Sequence, residues 1–314
     1  MRILVLGAGA LGGYFGGRLL EGGGAEVAFL VRPRRAAQLA RDGLVIESPF
    51  GNLRRPVTTL ERAEPGWDVI LLTCKAYDLE EAIAAIAPAV DQRTAVLPVL
   101  NGLAHIERLQ QAFGRERVLG GLARIQAVLA PDGTVRQMND WRDLVFGELD
   151  GAMSPRVLAL AEACLPAPGL LPQAVTDIAA QLWHKLVVLG TAAMGTVLLR
   201  ANVGEIVRAG GAPFLHRILE RNAAIAAANG HPVPEPALAR QRAIFAEPDS
   251  AFTASMLRDL EAGGRIEGEH IIGALLQAAR ASGIPAEIHE AAALSTRAYE
   301  QRRAAGRLPP PVAA

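Results

Sequence analysis

The first twelve residues constrain this chain more than any other stretch. Ile3-Leu4-Val5-Leu6 is an apolar run of strand length, and Gly7-Ala8-Gly9-Ala10-Leu11-Gly12 follows without a spacer. The spacing G-x-G-x-x-G is weak alone. Between a strand and an apolar helical run through Leu19-Leu20, it marks a strand–turn–helix unit that offers a helix N-terminus to an anion. Gly7 permits the tight turn, Gly9 lets backbone approach a pyrophosphate, and Gly12 allows close helix–strand packing. A glycine turn with a structural role only is the competing reading.

The rest of the N-terminal half repeats the alternation. Glu26–Arg32 reads as a second strand, Arg34–Arg41 as a helix and Leu44-Val45-Ile46 as a strand. Trp67–Thr73 is a further strand, Leu79–Ala87 a helix, and Ala95-Val96-Leu97 a strand that runs out at Asn101-Gly102. Strands alternating with helices imply right-handed crossovers and a mainly parallel sheet. From Arg117 to Glu148 the turn Pro131-Asp132-Gly133-Thr134 separates strand-like runs, so the sheet is expected to finish with an antiparallel section.

Pro166-Ala167-Pro168-Gly169 then punctuates the chain. Beyond Gln173 the pattern is helical. Ala179–Leu189 is apolar nearly all round, as in a buried helix, and helices follow near 213–229, 236–246, 250–261, 267–281 and 286–302. The expected class is α/β: a Rossmann-type dinucleotide-binding domain over residues 1–170, then an all-α domain over 171–314.

Composition excludes several alternatives. Lys+Arg and Asp+Glu both number 32, so neither nucleic acid nor a membrane surface is an expected partner. No run of about 18 apolar residues escapes interruption by charge, Pro or Gly, and with the first strand beginning at once no signal segment is expected. With Cys74 and Cys164 as the only cysteines, two buried thiols in a cytoplasmic protein are expected rather than a disulfide. The six histidines show no metal-ligand spacing, so no metal is expected. A homodimer is compatible with the helical half, though no residue pattern specifies it.

About 20 residues past the glycine turn, where an NAD enzyme carries Asp or Glu for the ribose 2′-hydroxyl, this chain has Arg32. A guanidinium suits a 2′-phosphate, and Arg34 and Arg35 could share its charge, so NADP is the expected cofactor. A solvated basic loop is the other reading.

Over nearly its whole length the chain resembles the ketopantoate reductase (2-dehydropantoate 2-reductase) family. The resemblance rests on Gly7–Gly12, Arg32, Leu72-Thr73-Cys74-Lys75-Ala76-Tyr77-Asp78, Leu100-Asn101-Gly102, Trp183-His184-Lys185-Leu186, Ser255–Leu260 and Glu267. It implies an NADPH-dependent reduction of the 2-oxo group of a small 2-oxo acid, with Lys185 as general acid. An ammonium of free pKa about 10.4 enters protonated, polarises the oxygen and donates as hydride arrives at carbon. A lysine snorkelling from an apolar helix is the plainer alternative. The resemblance makes Glu267, in the first turn of its helix after Gly263-Gly264, the partner that orients Lys185. It also places Asn101 at the substrate or nicotinamide ribose, Ser255 at a substrate carboxylate and Lys75 near the cofactor. An Asn-Gly turn and ordinary exposed polar side chains compete with these readings.

The match breaks at the pocket wall. Members acting on ketopantoate carry asparagines four and eight residues after the lysine, where this chain has Leu189 and Ala193; steps of four share one helix face. The asparagine expected before the glycine of the last-but-one helix is also missing, leaving Ile272-Gly273. Hydride transfer would survive, while the amides that would recognise a substrate hydroxyl are absent, so a 2-oxo acid with a more apolar side chain is expected. Another dehydrogenase on the same scaffold, acting on an imine or opine, is the first alternative. A non-catalytic NADP-binding regulator is the second, and it has no use for a proton donor. Arg124 lies in an apolar run; a structural carboxylate partner suits it better than a substrate carboxylate.

Overall fold

The computed structural model describes residues 1–308. Its contacts fall into two compact units. The first comprises Met1–Leu100 and His105–Ala179; the second comprises Asn101–Ala104 and the chain from Ala180 onward.

The first unit runs β1 (Arg2–Leu6), α1 (Ala10–Gly22), β2 (Glu26–Leu30), α2 (Pro33–Asp42), β3 (Leu44–Glu47), β4 (Leu53–Arg55), β5 (Thr58–Leu60), β6 (Val69–Leu72), α3 (Leu79–Ile86) and β7 (Ala95–Pro98). It continues with α4 (Ala104–Phe113), β8 (Gly120–Arg124), β9 (Ala127–Leu129), β10 (Val135–Gln137), β11 (Asp143–Gly147), α5 (Pro155–Cys164) and β12 (Leu171–Ala174). The order β5-β2-β1-β6-β7 is parallel throughout. Every residue of β6 and β7 is buried, as expected of strands covered on both faces. The chain leaves β1 toward β2 and later returns to its other side at β6. The carboxyl ends of β1 and β6 therefore flank the switch point where such sheets hold ligands.

The antiparallel strands do not extend this sheet, contrary to the sequence-based expectation. They form two others, ordered β4-β3-β10-β9 and β12-β11-β8. Helix α1 fits between the first two sheets because glycines stand at its closest approaches to them. A Cβ on Gly16 would lie 2.6 Å from Phe29 of the parallel sheet, and one on Gly13 2.7 Å from Val135 of the second. Nor does Pro166–Gly169 end the unit, since β12 pairs in parallel with β11 beyond it.

The second unit is helical: α6 (Ile178–Leu199), α7 (Val203–Arg208), α8 (Ala212–Ala228), α9 (Glu235–Ile244), α10 (Ser255–Glu261), α11 (Ala274–Ala281) and α12 (Glu287–Ala304), with a π turn over Glu269–Gly273 leading into α11. Gly190 lets α11 reach α6, since a Cβ there would lie 2.4 Å from Leu275. Among the described residues, α6 is the one helix long and apolar enough to cross a membrane by length and composition, and 61% of its apolar window is buried in the fold. Residue 185 and the glycines at 190 and 195 kept it from registering as such in the sequence. Cys74 and Cys164 form no disulfide; burial pushes the Cys164 thiol up to about 12.

Candidate active site

Gly7 has φ +88°, and its N–H donates to the Leu30 carbonyl at 2.9 Å, which closes the turn after β1. Thr73, one residue past β6, donates its hydroxyl to the Leu6 carbonyl at 2.8 Å and so ties the second strand of the switch point to the turn. A Cβ on Gly12 would sit 2.1 Å from the Gly7 carbonyl oxygen and 2.5 Å from Thr73 Oγ1, so no side chain fits there. Gly9 differs. Its Cβ direction is open space, and it caps α1 with no side-chain hydrogen bond and no acidic residue in the first turn. First-turn amides have no partner within a helix, so open backbone and the positive helix end together fit a pyrophosphate. Ala8, Ala10 and Leu11 complete the turn, with Ala8 buried. Thr73 is the residue that sequence reasoning left out of the site, although a hydroxyl closing an apolar strand was visible within the quoted motif.

Arg32 is not part of the second strand, which ends at Leu30. Pro33 opens α2, so Arg32 becomes its extended N-cap residue. Its exposed guanidinium pairs with Glu81 of α3 at 2.8 Å. Lys75 is half-buried and caps the short 3-10 turn Ala76–Asp78, two residues beyond Thr73. Arg124, at the exposed end of β8, faces its register partner Asp143 at 3.9 Å, which gives it the structural carboxylate.

In the helical unit, Lys185 is half-buried on α6 among the buried residues Leu182, Leu186 and Val187. The neighbouring His184 contacts the Pro232 carbonyl at 3.0 Å. Glu267 is a buried carboxylate, 6% exposed. It lies immediately before the helical segment rather than in its first turn, and its carbonyl accepts from Ile271 N at 3.1 Å. The last helix holds this approach in three places. Glu300 accepts the Ile266 amide at 2.8 Å, the Tyr299 hydroxyl donates to the Gly264 carbonyl at 2.7 Å, and Gly268 packs so closely on Thr296 that a Cβ would lie 2.7 Å from it.

Asn101 belongs to this unit although it follows β7 in sequence. Gly102, at φ +86°, lies where a Cβ would be 3.0 Å from the His270 carbonyl oxygen, so the Asn101-Gly102 turn rests on the π turn that follows Glu267. Burial pushes the His270 imidazole below its ordinary value, against the pull of Glu267 and Glu269. Ser255 is the half-buried first residue of α10. Leu189 is partly exposed on α6, but Ala193 is 0% exposed within the helical core. Ala193 and Ile272 therefore differ from Leu189 in depth, both being fully buried. Among the described residues, no group of three or more His, Cys, Asp or Glu could hold a metal ion.

Two family models match the chain: "Ketopantoate reductase PanE/ApbA" over residues 3–151 and "Ketopantoate reductase PanE/ApbA C terminal" over residues 177–300. A relative from Bacillus subtilis, described as an uncharacterized oxidoreductase YkpB, is 33% identical, covering 96% of this chain and 100% of its own. A 2-dehydropantoate 2-reductase from Archaeoglobus fulgidus is 30% identical over 92% of this chain and 94% of its own. The crystal structure of 2-dehydropantoate 2-reductase from Methylococcus capsulatus matches with TM-score 0.85 at 27% identity, covering 96% and 98% of the two chains.

Proposed function

We propose that this chain, which belongs to the ketopantoate reductase family, reduces the 2-oxo group of a small 2-oxo acid with NADPH and uses Lys185 as the proton donor. Family membership makes it an oxidoreductase acting on CH–OH groups with a nicotinamide dinucleotide; the preference for NADPH, the substrate and the residue roles are our reading.

The observation that carries it is a cation half-buried in a largely apolar helix, in the same compact unit as the buried carboxylate of Glu267 and the Asn101 turn. In this reading the turn Gly7–Gly12 holds the pyrophosphate, and Arg32 and Lys75 supply charge for the 2′-phosphate. Arg32 then exchanges Glu81 for the ligand. When bound, the reduced nicotinamide supplies a hydride to the carbonyl carbon. The Lys185 ammonium hydrogen-bonds to the carbonyl oxygen beforehand and releases a proton to it as the C=O bond becomes C–OH. Glu267 orients the ammonium. Asn101 donates to the substrate or the nicotinamide ribose, and Ser255 binds the substrate carboxylate.

Leu189, one helical turn from Lys185 and partly exposed, favours a substrate side chain without a hydroxyl. Initial rates of NADPH oxidation with ketopantoate, 2-oxoisovalerate and phenylpyruvate test both parts. Turnover with at least one establishes the reductase. A large kcat/KM preference for ketopantoate would overturn the apolar wall, and no turnover despite NADPH binding would favour a regulatory role.

A further inference from the structure

Of the three arginines that follow β2, Arg35 is held in the most unusual way. Its Nε donates to the Ala8 carbonyl of the glycine turn at 3.0 Å. Nη1 donates to Gln38 Oε1 at 2.7 Å, and Nη1 and Nη2 share the Gly133 carbonyl at 3.2 and 3.1 Å. Gly133 is built for this approach: at φ +89° it comes so near that a Cβ would lie 2.7 Å from Arg35 Nη1. Gln38 locks the same turn from beside it, donating to the Asp132 carbonyl at 2.8 Å.

All of these acceptors are neutral. Arg32 is paired with Glu81, Arg41 with Asp42 and Arg136 with Glu47, but among the described residues no carboxylate pairs with Arg35. The Asp132 carboxylate, on the same turn, is engaged with the Thr134 amide and with Arg136. Burial lowers the Arg35 pKa, the mark of a charge drawn from water without a counter-ion. Fixing a partly desolvated cation against carbonyls alone carries a desolvation cost that no counter-ion offsets. The cation is also pinned beside a turn whose open amides suit a phosphate-bearing ligand, and one Nη2 hydrogen is left over from the bonds just described.

We propose that Arg35 is a specificity-determining residue for the cofactor: its uncompensated guanidinium is a preset counter-charge for the 2′-phosphate of NADP, alongside the exchangeable Arg32. This rests on the NADPH reading above. It differs from that reading in placing the standing charge on Arg35, whose geometry is set by the Ala8 and Gly133 carbonyls before any ligand arrives.

Equilibrium titrations of the whole protein with NADPH, NADH, 2′,5′-ADP and 5′-AMP test it without turnover. Arg35→Gln is expected to weaken NADPH and 2′,5′-ADP by roughly tenfold or more, the scale of a charge-assisted hydrogen bond, and to change NADH and 5′-AMP by less than about threefold. Arg34→Gln, an equal loss of charge from an exposed neighbour, should weaken NADPH far less. Parallel loss of NADPH and NADH by Arg35→Gln overturns the proposal, because a tether for the turn alone would act on both; so does no loss at all. Should Arg35→Gln not fold, Arg35→Lys reads the same ratio: it must keep a preference for 2′,5′-ADP over 5′-AMP larger than Arg32→Gln does, and a smaller one overturns the assignment. A wild-type protein that binds NADH as tightly as NADPH overturns the NADP reading itself. Loss of preference in Arg32→Gln with full preference in Arg35→Gln overturns only the role of Arg35.

Discussion

Glu300 Oε1 accepts the backbone hydrogen of Ile266 at 2.8 Å, so a carboxylate of the last helix fixes the residue that immediately precedes Glu267. Glu300 is itself steadied by Arg303 at 2.8 Å. It touches nothing that reacts, which makes it a positioning residue. Glu300→Ala is expected to lower kcat several-fold while leaving the NADPH dissociation constant unchanged, with a stability loss of about 1.5 kcal/mol for a part-buried charge-assisted bond. Glu300→Gln, which keeps an acceptor oxygen, should restore most of the turnover. If neither variant alters kcat, the geometry of Glu267 does not depend on the last helix.

Lys185→Ala separates binding from chemistry. The glycine turn, Arg32 and Lys75 all belong to the other compact unit, so NADPH affinity is expected to stay within about threefold of wild type. Removing a general acid costs on the order of 10²–10⁴ in rate. Nucleotide titration and single-turnover NADPH oxidation measure the two effects separately. Retention of most of the turnover would show that Lys185 is not the donor.

The parallel half of the fold was legible because its signals are local: an apolar run, a glycine turn, a helix, repeated. What stayed hidden depends on partners distant in sequence. Val135–Gln137 is three residues long and gives no sign that it pairs with Ile46 and Glu47 in a sheet of its own. Leu171–Ala174 contains Pro172, which argues against a strand; it is one because it occupies an edge, where a missing N–H is tolerated. The site residues follow the same division. Helical period places residues 189 and 193 on the face of Lys185 but says nothing of depth, so the burial of Ala193 could not be read. Glu267 lies one position before its helix rather than in the first turn; no capping signal marks Gly268, and no sequence pattern announces the π turn behind it.

Depth also separates the two wall residues by experiment. Leu189→Asn puts an amide on a partly exposed position and is expected to raise kcat/KM for ketopantoate relative to 2-oxoisovalerate by about tenfold, since a site that hydrogen-bonds a hydroxyl discriminates where an apolar one does not. Ala193→Asn places the same amide at a position with no exposed surface. It should cost about 2 kcal/mol or more through overpacking and unmet hydrogen bonds, with no gain in discrimination. Equal specificity shifts in both variants would show that residue 193 reaches the substrate after all.

The helical unit carries a buried polar chain that makes its stability depend on pH. His289 shares a 2.9 Å hydrogen bond with Asn222 Oδ1, Asn222 donates to Thr191 Oγ1 at 3.0 Å, and Thr191 donates to the Val187 carbonyl on the helix that bears Lys185. His289 has no exposed surface, and burial, with the nearby Arg221, pushes its pKa from 6.5 down to about 4. Between those values the unfolded chain binds a proton that the folded chain refuses, so the contribution of His289 is fully present above pH 6.5 and is lost as pH falls toward 4. The difference amounts to about 3 kcal/mol at most. Urea midpoints measured from pH 7.5 down to 4.5 should decline accordingly. His289→Gln, which keeps a donor for Asn222 but cannot titrate, should flatten that part of the curve even if it lowers stability overall. An unchanged slope in the variant would assign the acid sensitivity to other groups.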